Sequence, residues 1–128
     1  MQGLFGLKMK EEVKKWFQYA KEDYDTAKFN FEGKKYRAAA FLCQQSAEKA
    51  LKAILLKKTG KIRKIHDLVE LGKDISIPVN LLNDLKELTL AYIYSRYPDL
   101  KKEINLKEKV SYFLKVSKKT LQWVKKNL

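Results

Sequence analysis

Apolar residues recur along this chain at helical spacing. Val13, Phe17, Ala20, Tyr24, Ala27 and Phe31 step by four and three residues, which lays one apolar stripe along a long first helix. Gly33 marks its expected end. Tyr36, Ala40, Cys43, Ala47, Ala50 and Ile54 repeat the same steps, and Phe41, Leu51 and Leu55 widen the apolar surface. Ala38, Ala39 and Ala53 join the alanines of that stripe in permitting close helix contact, so this second helix is expected at the centre, ending at Thr59-Gly60.

Residues 61–66 read as a basic loop. Asp67 to about Lys73 suits a short third helix with Leu68 and Leu71 inward. A fourth helix opens near Pro78, where the first turn tolerates proline, and turns Leu82, Leu85, Leu88 and Tyr92 inward. Pro98 stops it, because the residue before a proline is pushed away from αR. The last helix covers roughly residues 105–127, with Leu106, Val110, Leu114, Leu121, Val124 and Leu128 as its stripe and Phe113 beside it. The pattern predicts an all-α fold: an antiparallel up-and-down four-helix bundle with one additional short helix, in a single domain over residues 1–128. Residues 1–9 are expected to form a flexible or partly ordered extension. Only short turns separate helices one from two and four from five, so those pairs should be antiparallel neighbours. There is no internal repeat, low-complexity segment or linker.

Composition supports this reading. Two prolines and five glycines in 128 residues leave long uninterrupted segments. No apolar run approaches the ~20 residues of a membrane span, and no N-terminal segment has a signal-peptide core. The one cysteine, Cys43, cannot form an intramolecular disulfide. The expected location is the cytoplasm, with no membrane contact.

The net charge of +13 is unevenly spread. Residues 49–64 carry seven basic side chains and no acidic one, and residues 101–128 carry nine basic and two acidic. The remaining segments are near neutral. Lys57, Lys58, Lys61, Arg63 and Lys64 are expected to form one basic patch. Such a patch attracts polyanions such as nucleic acid or acidic protein surfaces. A lysine-rich solvated surface is the alternative, because 25 of the basic residues are lysine and only three are arginine, the usual phosphate reader.

Local motifs offer little catalysis. His66 and Cys43 are the only histidine and cysteine. A Cys–His nucleophilic pair is conceivable, but Cys43 lies on the apolar stripe, where a small buried residue is expected. No metal-ligand spacing and no glycine-rich phosphate loop occurs, so neither metal nor cofactor is expected. Asp67 suits a helix cap. Glu48 and Lys52 are spaced as an ordinary i, i+4 surface pair, and Gln44 and Gln45 sit near a helix seam where they need partners. Tyr92, Tyr94, Arg96 and Tyr97 at the end of the fourth helix suit stacking on bases or anchoring a partner; an Arg96–Asp99 ion pair is the structural alternative.

Trp16, Ala20, Asp23 and Ala27, then Gln44-Gln45 with Glu48-Lys49-Ala50 and Lys52-Ala53, then His66-Asp67-Leu68, and finally Arg96-Tyr97-Pro98-Asp99 form an ordered set. From about residue 10 to 127 the chain resembles the HEPN domain, the higher eukaryotes and prokaryotes nucleotide-binding domain, in an RYPD-type prokaryotic form. The resemblance implies a helical bundle, commonly a homodimer, that works near nucleotides or RNA. It implies a minimal nucleotidyltransferase as a partner, in modules of toxin–antitoxin type. It also implies candidate binding residues Gln45, Glu48, Lys52, His66, Asp67, Arg96, Tyr97 and Asp99. Many HEPN proteins are metal-independent ribonucleases that use an arginine, four to six spacer residues and a histidine. That spacing is absent here: Arg37 lies far before His66, Arg63 leaves two intervening residues, and no histidine follows Arg96. The expectation is a non-catalytic nucleotide- or RNA-binding protein. The alternatives are a ribonuclease with a rearranged active site and a pure protein-interaction module. The excess of small and apolar surface on helix two adds to the expectation of a homodimer.

Overall fold

The computed structural model describes residues 4–96 and 105–128; Tyr97, Pro98 and Asp99 lie outside the described residues. Six helices follow in order: α1 (Leu4–Glu32), α2 (Tyr36–Thr59), α3 (Leu68–Asp74), α4 (Val79–Leu88), α5 (Leu90–Arg96) and α6 (Leu106–Asn127). They form an all-α antiparallel bundle, in which α4 and α5 together take the place of the expected fourth helix. The first helix starts at Leu4, so residues 4–9 of the stretch expected to be a flexible or partly ordered extension are helical and continue into α1.

α2 is central. It packs against α1, α3, α5 and α6, and α4 packs against α3 and α6. Ala39, Ala40, Ala47, Ala50 and Ala53 are all fully buried. Their small side chains let neighbouring helices approach on several sides at once. Those five alanines are consumed by contacts within the chain, while Ala38 and Phe41 of the same helix stay exposed. Leu51 and Ile54 are fully buried beside them, and each contributes about 1.5–3 kcal/mol through removal of apolar surface from water.

Three helix ends follow local capping chemistry, whereas Lys35 before α2 and Pro78 before α4 make no side-chain cap bond. Gly60 takes the left-handed conformation (φ 73°) and its N–H closes α2 on the Leu56 carbonyl at 2.8 Å. Asp67 caps α3, its carboxylate accepting from the N–H groups of Val69 (2.9 Å) and Glu70 (3.2 Å). Asn105 caps α6 through the Glu108 N–H. At the end of α1 the left-handed residue is Lys34 (φ 62°), not Gly33. The Lys35 N–H then reaches the Asn30 carbonyl at 2.7 Å, the long bond of a Schellman turn.

The break between α4 and α5 falls at Thr89. Its hydroxyl and its N–H both donate to the Leu85 carbonyl at 3.0 Å, and the Tyr92 N–H bonds only three residues back, to Thr89, at 3.3 Å. This back-bonding tightens and bends the helix. The buried face becomes Leu81, Leu85, Leu88 and Ala91. Leu82 is half-buried and Tyr92 is exposed, contrary to the stripe read from the sequence. Small Ala91 takes the inward place that the bulkier Tyr92 was expected to fill. On the opposite side, Tyr112 of α6 donates to Asp84 of α4 at 2.8 Å. Burial and that carboxylate raise the phenol to about 12.

Candidate functional site

The outward stripe of α2 that carries Phe41, Gln45, Glu48 and Lys52 passes beneath α1 and the segment before α3. The expected surface pair is in fact buried: Glu48 is 4 % exposed and Lys52 5 %. The Lys52 ammonium donates to Glu48 Oε2 at 3.0 Å and stands 5.8 Å from the centre of the Trp16 ring. Both Glu48 oxygens lie 3.0 Å from His66 Nδ1. Gln44 Nε2 donates to Glu48 Oε1 at 3.2 Å and to the His66 carbonyl at 3.3 Å, and Gln45 Nε2 donates to Gln44 Oε1 at 2.8 Å. One buried carboxylate thus gathers a lysine, a histidine and a glutamine. A buried charge needs this number of partners to offset its lost hydration.

His66 is the outward end of the cluster. Its side chain is 76 % exposed while that of Glu48 is 5 % exposed. An ionised carboxylate only accepts, so Nδ1–H is the donor, and Nε2 is left for solvent or a ligand. Such a tether fixes both the tautomer and the ring's orientation.

Four of the residues expected at the site therefore meet: Gln45, Glu48, Lys52 and His66. Gln44, expected only at a helix seam in need of partners and not among the candidate binding residues, is the hub of the cluster; its i, i+4 relation to Glu48 was the available signal. Trp16 was likewise not assigned to the site. Asp67 adjoins the cluster in sequence, but its carboxylate is occupied as the α3 cap. Arg96 stacks on Tyr92, its guanidinium carbon 4.3 Å from the ring centre. No hydrogen bond or ion pair among the described residues joins it to Glu48. Arg37 donates to the Ser95 carbonyl at 3.0 Å, which fastens the end of α5 to the start of α2. At 1.5 Å rise per residue, Glu48 is about 16 Å further along α2 than Arg37.

The expected basic patch separates into two kinds of residue. Arg63 donates to Asp74 at 2.6 Å and lies 3.8 Å from Glu70, so acids of α3 offset its charge. Hydrogen bonding to Asp74 and its negative charge raise the guanidinium further. Lys57 donates to the main-chain oxygen of Leu128 and Lys58 to that of Ile75. Lys61 and Lys64 are exposed and make no side-chain contact of this kind among the described residues.

The family follows from the match of a whole-domain model. The model of the HEPN domain covers residues 13–127. This chain belongs to the HEPN family. Solved structures agree with the assignment. TT1696 from Thermus thermophilus is 26 % identical, with a TM-score of 0.81, covering 91 % of this chain and 98 % of that one. ST0689, an archaeal HEPN homologue, is 30 % identical with a TM-score of 0.74, covering 91 % and 97 %. A HEPN domain protein from Thermotoga maritima, at 22 % identity and a TM-score of 0.70, shares the fold over 87 % of this chain and 94 % of its own. No curated protein matches the chain. HEPN proteins are generally nucleotide-binding or ribonuclease-like. No helix among the described residues is long and apolar enough to cross a membrane. Among those residues no group of three or more His, Cys, Asp and Glu side chains is arranged to hold a metal ion.

Cys43 stands apart from this HEPN site. It is fully buried, and burial pushes its thiol from 9.0 to about 12. The thiolate is the nucleophile, so the folded chain at pH 8 should resist thiol reagents and become labelled only in denaturant. Rapid labelling of the native chain would contradict this burial. The folded value lies above the unfolded one. The associated stability is therefore fully present below pH 9 and is lost as pH rises towards 12.

Proposed function

We propose that this HEPN protein binds RNA, or a nucleotide phosphate, at His66 and the basic segment that precedes it, and does not cleave it. The observation that carries the reading is the exposed His66 ring, held from behind by buried Glu48. A phosphate oxygen would meet Nε2, while Lys61 and Lys64 supply charge without competing ion pairs among the described residues. Lys52 and Gln44 hold Glu48 in place, and Gln45 steadies Gln44. Asp67 starts α3 at this point and so fixes where His66 stands. Arg96, stacked on Tyr92 at the end of α5, belongs to this proposal only as a second contact; Tyr97 and Asp99 follow it in the sequence and are proposed with it on the family resemblance alone.

Cleavage needs a base for the 2′-hydroxyl and a group that stabilises the developing charge. The chain lacks the family's arginine–histidine spacing. Arg63 is bound to Asp74, and Arg96 stacks on Tyr92.

The test is binding of a labelled single-stranded RNA across a range of salt. Each phosphate contact on a single strand contributes about 0.7 to the log–log salt slope. The Lys61→Gln/Lys64→Gln variant should therefore bind more weakly, with a slope shallower by about 1.4. An unchanged slope would reduce the segment to a solvated loop.

One observation favours the ribonuclease reading: a histidine backed by a carboxylate is also how a general base is oriented. RNA turnover in the presence of chelator that disappears in His66→Ala would replace the binding role with catalysis. We also propose a homodimer, supported by the partly exposed Phe41, Tyr92 and Ile93 on the packed pair α2 and α5. A minimal nucleotidyltransferase is the proposed protein partner, as in the toxin–antitoxin modules of related proteins.

A further inference from the structure

A second feature lies along the N-terminal half of α1, where it meets the ends of α2 and α6. A cavity of about 900 Å³ follows this side of α1 from Gly6 to Lys21. Its floor is apolar: Met9, Val13, Phe17 and Leu128. Five lysines line it, among them Lys10, Lys14 and Lys15, and its lining has no acidic side chain. These three lysines are exposed and form no ion pair among the described residues. Leu7, 52 % exposed, adds an apolar side chain one turn before Lys10.

We propose that this trough docks an acidic amphipathic helix of a partner protein. Its length selects a helix. Fifteen residues of α1 rise about 22 Å, so the trough accepts roughly four helical turns laid alongside. Its chemistry selects the sequence of that helix. An apolar face would cover Met9, Val13 and Phe17, and flanking carboxylates would meet the lysines. A second copy of this chain is disfavoured as the occupant of the trough, because like faces would bring lysine against lysine. RNA is a poor match for the floor. Phe17 is half-buried and already carries Lys21 over its ring at 5.3 Å, which leaves no open platform for a base. The trough is separate from His66, so the inference stands without the RNA-binding reading.

The probe is a fluorescein-labelled synthetic peptide about four helical turns long. It carries leucine at i, i+3, i+4 and i+7 and glutamate on both flanks. Fluorescence anisotropy with the full chain should show saturable binding, tighter than that of a scrambled peptide of the same composition. Lys10→Glu/Lys14→Glu/Lys15→Glu should weaken it by about tenfold or more. The reversed chain should in turn prefer the same peptide with lysine flanks. Reversal of the distant surface lysines Lys73, Lys86 and Lys107 should have little effect. Equal binding of the scrambled peptide, or equal loss from the distant reversal, overturns the site and leaves only general charge attraction. A change of oligomeric state in the Lys10/Lys14/Lys15 variant would assign the trough to a second copy instead. Loss of RNA binding in that variant would assign it to nucleic acid.

Discussion

Replacing Lys52 with methionine should destabilise the fold by about 3 kcal/mol, near the lower end of the cost of breaking a buried ion pair. The loss is read from the denaturant midpoint at fixed protein concentration. The variant strands Glu48, 4 % exposed, without its only ammonium partner among the described residues. His66 and Gln44 still contact the carboxylate, which is why the expected loss stays near 3 kcal/mol. Removing both charges, as in Glu48→Leu/Lys52→Met, should restore most of the stability, since apolar side chains can fill the site without a hydration debt. If the double variant were as unstable as the single one, packing around Trp16 and not charge would be the controlling factor. The same double variant should lose the fixed orientation of His66, because nothing else among the described residues binds its Nδ1. Stability and ligand binding are thus expected to separate: the double variant folds yet binds RNA poorly.

Phe113→Ala should cost about 3–5 kcal/mol, the usual range for an emptied aromatic core position. Phe113 is 1 % exposed and belongs to the main core cluster with Leu51, Ile54 and Leu85. α6 packs against α1, α2 and α4, so a void on its buried face loosens the helix within the core. Phe113→Leu, which leaves a smaller void, should cost clearly less. Similar losses for the two variants would mean that the site collapses around the smaller side chain.

The contrast between these two positions shows what the sequence reveals. Periodicity identified α1, α2 and α6, and it identified α2 as central, because core faces repeat at 3.6 residues whatever they pack against. Asp67 was legible as a cap because capping is local chemistry. Phe113 was read as lying beside the α6 stripe, yet it is buried at the centre; a helix face is wide, and the direction of the core across it depends on neighbours far away in sequence. Thr89 broke the fourth helix through a side-chain bond to Leu85 that apolar spacing does not register. Glu48 and Lys52 looked like a surface pair because nothing within four residues covers them. Their cover comes from Trp16, thirty-two positions before Glu48, and from the segment ending at His66. Arg63 counted towards a free basic patch until α3 brought Asp74 to it. The HEPN motifs placed Gln45, Glu48, Lys52 and His66 in one group, and they do meet. Arg96 was grouped with them by resemblance, and its own contact is with Tyr92.

The central claim is that RNA meets the exposed edge of a His66 ring anchored by Glu48. His66 is the chain's only histidine, so its ring signals can be followed without assignment ambiguity. The most direct measurement is a nitrogen–proton correlation spectrum of that ring during titration with single-stranded RNA, with binding followed by anisotropy in parallel. The Nε2 signals should shift saturably with the binding curve, and this shift should be lost in Glu48→Leu/Lys52→Met. Saturation of the protein by RNA while the His66 ring signals stay unmoved would contradict that claim.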